Sequence, residues 1–325
     1  MQLFSIITGF DAATRVNWPT LCRLALLATA SLLLCAPAWP ASVLVLLSDT
    51  SAPYQEVADS FRAQLQHDLP AVNVTVADPQ TRAGNVLPAD ARLLVSVGTK
   101  ATQAALALHT RIPILAVLVP KASFDALAAP ANEERRPISA IYLDQPYSRQ
   151  LALIRLAFPE RERVGVLLRE QDRQKLDALL AAARVRKVQV VSELLPNGAA
   201  IVPALERLLA ASDLLLVLPD ALLYNKNDIQ SVLLTSYRYH DPLVGYSQAL
   251  VRAGAIMALY STPAQIGYQA AEVALRSLNT GTLPVPQYPK YFTVSVNLQV
   301  ARSLGIPAPD EIGMQEALQR QEQEQ

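Results

Sequence analysis

The sequence is short of cysteine, histidine, glycine and unbalanced charge, and each shortage removes a class of function. Its two cysteines, Cys22 and Cys35, fall near the start, so the rest of the chain has no disulfide, thiolate nucleophile or Cys-bound metal. The three histidines, His67, His109 and His240, each stand near an expected helix C-terminus, where they complement the helix dipole. Basic and acidic residues number 28 each, so nothing supplies the positive field that duplex nucleic acid requires. Glycines number only 11, and G-x-G-x-x-G is missing. G-x-S-x-G, the Walker loop and H-E-x-x-H are absent too. No enzyme signature, no metal set and no cofactor site is left to assign.

Long apolar runs are also lacking. The best candidate, Leu24–Cys35, is well short of the roughly 20 residues that cross a membrane. Arg15 and Arg23 precede it and Ala36-Pro37-Ala38 follows, which is the layout of a secretory signal peptide over residues 1–38. The mature, periplasmic chain is then expected to begin at Trp39. Lipid attachment at Cys35 is not expected, because Leu34 stands where such sites carry a small residue.

What is present is core. Hydrophobic residues make up 51% of the 325 and charged residues 17%, which excludes a disordered chain and suits roughly two domains. Ser42–Ser48 reads as a strand apolar on both faces, and Val57, Phe61 and Leu65 follow on one helical face. The alternation continues, with strands expected over 72–76, 92–97, 112–118, 138–142, 164–168, 188–192, 214–218, 243–246 and 291–296. Asp144 and Pro146 start one helix, which Pro159 stops. Thr262-Pro263-Ala264-Gln265 is a capping box opening another, with Gly281 past its end. A weak repeat relates Asp90–Val97 and Ile112–Val117 to Asp213–Leu218 and Asp241–Tyr246. The fold class is therefore α/β, with two doubly wound Rossmann-like lobes joined by a hinge. Gln315–Gln325, rich in Gln and Glu, reads as a frayed tail.

Open α/β sheets bind ligands at strand C-terminal ends. On the first lobe such ends carry Thr50, Ser51 and Tyr54, and then Gly98, Thr99 and Lys100, where a helix start offers free N–H groups to an anion. On the second they carry Arg169–Asp172, Asp220 with Tyr224, and Ser247. Asp220 could hold a positive group there, and Tyr54 or Tyr224 could cover an apolar one. Ordinary helix caps account for the same hydroxyls.

Asp241–Ile306 carries a further pattern: Leu250-Val-Arg-Ala-Gly-Ala255, Ile266-Gly-Tyr-Gln-Ala-Ala-Glu272 and Asn297-Leu-Gln-Val-Ala-Arg-Ser-Leu-Gly-Ile306. Together with Gly98–Ala104 and Leu151–Gly165, it resembles the ABC-type substrate-binding proteins of the tryptophan/tyrosine-transport-like family. The resemblance implies a type I periplasmic-binding-protein fold. Lobe one would be 42–140 plus 248–282, lobe two 141–247 plus 283–306, and 307–325 a C-terminal tail. It also implies a monomer that closes on a small ligand and delivers it to an ABC permease, and the helix start at Gly98–Lys100 makes an anionic or zwitterionic ligand the expected one. Val119–Pro137 departs from the glycine-rich stretch that the family carries there, so the resemblance implies the fold and not an amino-acid ligand. A sensory module reporting to a membrane receptor, and an α/β hydrolase, are the rival classes.

Overall fold

The computed structural model describes residues 42–78, 80, 86–108, 110–133, 136–220, 223, 224, 228–307 and 309–323. The expected leader with Cys22 and Cys35, the start at Trp39, and His109 lie outside the described residues.

The first sheet contains β1 (Ser42–Leu47), β2 (Asn73–Ala77), β3 (Ala91–Val97), β4 (Ile114–Val119) and β5 (Ile138–Tyr142), in the order β2-β1-β3-β4-β5 and all parallel. Every residue of β1 is buried, as a strand covered on both faces requires. Val43, Val45, Val95 and Val117 pack on one face against α1 (Ala52–Asp68) and α9 (Pro263–Thr280). Leu44, Leu46 and Leu94 face α2 (Thr99–Leu106), and Ala116 with Ala140 faces α3 (Lys121–Glu133).

The second sheet runs β11-β10-β9-β8-β6-β7, parallel except for β11. Its strands are β6 (Arg163–Arg169), β7 (Gln189–Leu195), β8 (Leu214–Leu216), β9 (Leu243–Gly245), β10 (Met257–Tyr260) and β11 (Thr293–Val296). Val166, Leu216 and Leu259 pack against α4 (Tyr147–Ala157), α5 (Arg173–Arg186) and α11 (Glu311–Gln323). Leu167, Leu215 and Leu243 meet α6 (Ile201–Leu209), α7 (Asp228–Arg238) and α8 (Gln248–Ala253). α10 (Leu298–Ser303) follows β11, capped by Asn297. The repeated segments occupy equivalent places, β3 and β4 in one sheet and β8 and β9 in the other.

Two expected boundaries need correction. Residues 248–262 do not belong to lobe one, because β10 is hydrogen-bonded between β9 and β11 in the second sheet. Of the 248–282 stretch, only α9 packs on the first lobe. The C-terminal stretch is not a frayed tail either: Met314 and Leu318, one helical turn apart, are buried in the core of lobe two.

The chain passes between the lobes three times. Only Leu143–Pro146 separate β5 from α4, so the C-terminal edge of the first sheet lies within roughly 18 Å of the start of α4. Ser261 and Thr262 link β10 to α9, whose capping box is formed as the sequence specifies. Gly281–Phe292 returns, pairing Gln287 with β5 on the way through Gln287 N–H to Ala140 O (2.9 Å) and Tyr142 N–H to Gln287 O (3.0 Å).

At the other edge of the second sheet, Arg163 pairs with Asp213 at 2.6 Å, and Arg161 lies 3.7 Å from Asp241. Burial, only partly offset by Arg161, pushes the Asp241 carboxyl up to about 6. The folded chain thus keeps a proton that the unfolded chain releases between the ordinary aspartate range and about pH 6. This group's contribution is fully present below that range and is lost as pH rises through about 6. Asp241→Asn should therefore be more stable than wild type above neutrality by about 1–2 kcal/mol, and the two should converge in mild acid. Urea denaturation at several pH values reads the difference; a constant offset would remove Asp241 as the cause.

Candidate functional site

On lobe one the loops after β1 and β3 interlock. Ser51 N–H donates to Asp49 Oδ1 at 2.7 Å, turning the chain into α1, and Thr50 and Ser51 are exposed. Tyr54, on the first turn of α1, covers Gly98. A Cβ at Gly98 would stand 2.6 Å from the Tyr54 ring and 2.7 Å from Ser48 Oγ, and its φ of +89° with ψ of 169° is almost exclusive to glycine. Ser48 Oγ accepts the Ala101 N–H at 2.8 Å and so caps α2 from the neighbouring loop. Thr99 is half-buried and Lys100 exposed. Bonds from Ser51, and beyond them the charge of Lys100, hold the Asp49 carboxyl below its ordinary range. Thr50, Ser51, Tyr54, Gly98, Thr99 and Lys100 therefore do share one edge. One first-turn amide of α2 is already taken by Ser48, and Asp49 answers Lys100.

On lobe two the expected residues are held by the fold. Arg169 Nε donates to Asp220 Oδ2 at 2.7 Å, and Asp220 Oδ1 accepts from Leu223 N–H at 3.1 Å. Asp220 is thus neutralised from within its own lobe and does not stand open to a ligand's positive group. Tyr224 is a correction of the same kind. It is buried, with its hydroxyl donating to Leu167 O at 3.2 Å, so it covers core and no ligand. Ser247 is the N-cap of α8 and accepts the Leu250 N–H at 3.3 Å.

Among the described residues, a space walled by both lobes lies beside α3 and α5. A cavity of about 460 Å³ is walled by Lys121 and Asp125 on α3, Gln174 and Lys175 on α5, Asp144 on the first crossover, Tyr147 at the start of α4, and Tyr288 on the third crossover. Leu118, at φ +56° where the β4–β5 register shifts, bulges the end of β4 just before Pro120 and Lys121. Lys121 N–H donates to Asp144 Oδ2 at 2.6 Å, joining α3 to the crossover. Burial raises the Asp144 carboxyl above its ordinary range, against the pull of that bond, and burial raises the Tyr147 and Tyr288 phenols. In the sequence Asp144 reads only as a helix start, and no pattern there marks Tyr288. Lys121 lies in the stretch where this chain departs from the family it resembles. Among the described residues no group of three or more His, Cys, Asp or Glu could hold a metal ion.

The sequence profile of the ABC transporter substrate binding protein family matches residues 73–319. The chain belongs to that family. Members bind solutes rather than transform them. Among solved structures, the ABC domain in complex with L-Trp from Streptococcus pneumonia aligns over 84% of this chain and 98% of its own, at 14% identity and TM-score 0.58. A conserved domain protein from Vibrio cholerae aligns over 85% and 98%, at 19% identity and TM-score 0.59. The ligand-free, open structure of a substrate-binding protein with adhesive properties from Clostridium difficile aligns over 83% and 96%, at 18% and 0.68. These likenesses establish the type I periplasmic-binding-protein fold. Among functionally curated proteins none matches the sequence.

In this substrate-binding protein the three crossovers are hydrogen-bonded to one another. Gln145 Nε2 donates to Ser261 Oγ at 2.8 Å, and Ser261 Oγ donates to Tyr291 O at 2.5 Å. Arg149 is buried; it donates to Gln145 Oε1 at 2.5 Å and to Pro289 O at 2.9 Å, and lies 4.3 Å from the Phe292 ring centroid. Its remaining donors meet Glu322 on α11, one at 2.7 Å. Gln269 binds the third crossover at both ends of its amide, accepting from Lys290 N–H at 2.7 Å. No described helix is long and apolar enough to cross a membrane.

Proposed function

We propose that this chain is exported, captures a small ligand between its lobes and hands it to an ABC-type importer. The cavity walled by α3, α5 and two crossovers carries this reading, because a ligand there touches both lobes at once. Such a ligand favours whichever lobe arrangement lets it make all its contacts, and shifts the population by that difference. The Gly98–Lys100 edge supports a ligand with a carboxylate or other anionic group, through the Thr99 hydroxyl, the Lys100 ammonium and α2 amides. The leader layout supports export to the periplasm.

A thermal-shift panel of amino acids, peptides, nucleosides and sugars tests capture, since a ligand selective for the folded chain raises its melting temperature. The compound that binds should also reduce the radius of gyration in small-angle scattering. Truncating Thr99 and Lys100 together to alanine should weaken an anionic compound by about 2 kcal/mol, roughly 30-fold. Unchanged affinity would make this edge a helix cap only. Loss of cellular uptake of that compound on deleting the gene tests delivery; undiminished uptake would reject it.

A further inference from the structure

We infer that the cavity between α3 and α5 takes a small organic ammonium, with Asp144 as its counter-ion and Tyr147 and Tyr288 as its walls. This rests on the cleft-binding reading and names the ligand chemistry at one side of that cleft. Charge matching around the cavity points to this occupant. Lys121 lies 2.5 Å from Asp125, and Lys175 lies 3.1 Å from Asp172, which also meets Arg169 at 3.1 Å. Each lysine around the cavity therefore has a carboxylate of its own. Asp144 has no basic side chain within ion-pair distance among the described residues: Lys175 and Lys121 attract it only from further off, and the Lys121 backbone N–H is its donor from a neighbouring residue. A carboxylate held at a cavity wall with no cation in contact is the group that a bound ammonium would satisfy.

The surroundings fit the same occupant. The Tyr288 ring is fixed edge-on against Tyr142 at 5.3 Å, and Tyr142 already has the Lys121 ammonium 5.5 Å from its centroid. This aromatic cluster thus tolerates a cation beside its π-faces. Burial raises the Asp144 carboxyl, and a bound cation would oppose that shift. A volume of about 460 Å³ admits an amine with a ring or a short chain behind it. The rival occupant is an anion bridging Lys121 and Lys175 from the two lobes, and it makes the opposite prediction for Lys175.

Calorimetry on the full chain at neutral pH, with phenethylamine, cadaverine, phenylacetate and phenylalanine at millimolar concentration, separates the cases. Phenethylamine should bind. Asp144→Asn, which keeps an acceptor for the Lys121 amide, should weaken it about 10-fold or more. Lys175→Met removes a like charge, while Asp172 keeps Arg169, and should tighten it by about threefold. If phenethylamine and cadaverine give neither heat nor a melting shift, or Asp144→Asn leaves their binding unchanged, the ammonium site is overturned. Weakening by Lys175→Met overturns it too, in favour of the bridging anion. Phenylacetate or phenylalanine binding that ignores Asp144→Asn would leave solute capture standing and remove the ammonium site alone.

Discussion

Glu322→Ala should destabilise the fold by about 3 kcal/mol, although residue 322 lies one position before the last described residue and far in sequence from its partner. The partner is Arg149, whose side chain is only 6% exposed. Its guanidinium is satisfied by Glu322, Gln145 and Pro289 O, and Glu322 supplies the only negative charge among them. Removing one member of a buried pair leaves the other charged and uncompensated, which costs about 3–5 kcal/mol. Glu322 itself is 31% exposed, so water reaches the vacated space and the lower end applies. Glu322→Gln keeps an acceptor and loses the charge, and should fall about midway. Urea denaturation reads the midpoint shift at constant slope. Arg149→Met combined with Glu322→Leu should recover most of the loss, since apolar replacement of a whole buried pair is often neutral. A Glu322→Ala midpoint within about 0.5 kcal/mol of wild type would mean that Arg149 is solvated and the strut is idle.

That pair also shows where the sequence stops being legible. Continuous apolar strands such as Ser42–Leu47, and the Thr262–Gln265 capping box, are local patterns whose physics is complete within a few residues, and they form as read. β10 escaped because Ile256–Tyr260 is an apolar run of five residues, set apart from α8 only by Gly254 and Ala255. α11 is polar overall, and only the Met314–Leu318 spacing marks its buried side. The crossover network was invisible for a different reason. Gln145 and Ser261 are lone polar residues whose partners stand 116 positions apart, and no periodicity announces such a bond. Polar loop residues were legible as a class and not in their roles. Asp220 looks like an open carboxylate until Arg169 is seen beside it, and Asp144 looks like a cap until the cavity it borders is seen.

The largest effect of a single methyl group is expected at Gly267, one turn into α9. There α9 crosses α1 so closely that an added Cβ would come 2.4 Å from Val57 O, 2.9 Å from Ser60 Cβ and 3.0 Å from Phe61 N. Two of these three atoms are backbone, so no rotamer change relieves the clash and the helices must separate. What separates is the heart of lobe one: Val57, Phe61 and Leu65 are wholly buried against Ile266, Ala270 and Ala274. The Ser60 Oγ bond to Ala264 O, 2.8 Å long, would stretch with them. Alanine gains about 1 kcal/mol in helix propensity, whereas overpacking of this kind costs 1–3 kcal/mol or more. Gly267→Ala should therefore lose about 2 kcal/mol net, and Gly267→Leu should fail to accumulate as folded protein. The displacement also reaches the cleft. Thr262, at the N-cap of α9, ends the second crossover, and Tyr54 lies one turn before Val57 on α1. Whatever compound raises the wild-type melting temperature should raise that of Gly267→Ala by less. A variant as stable as wild type, with its full ligand shift, would show that α1 and α9 part without cost and that their close crossing does not hold the second crossover in place.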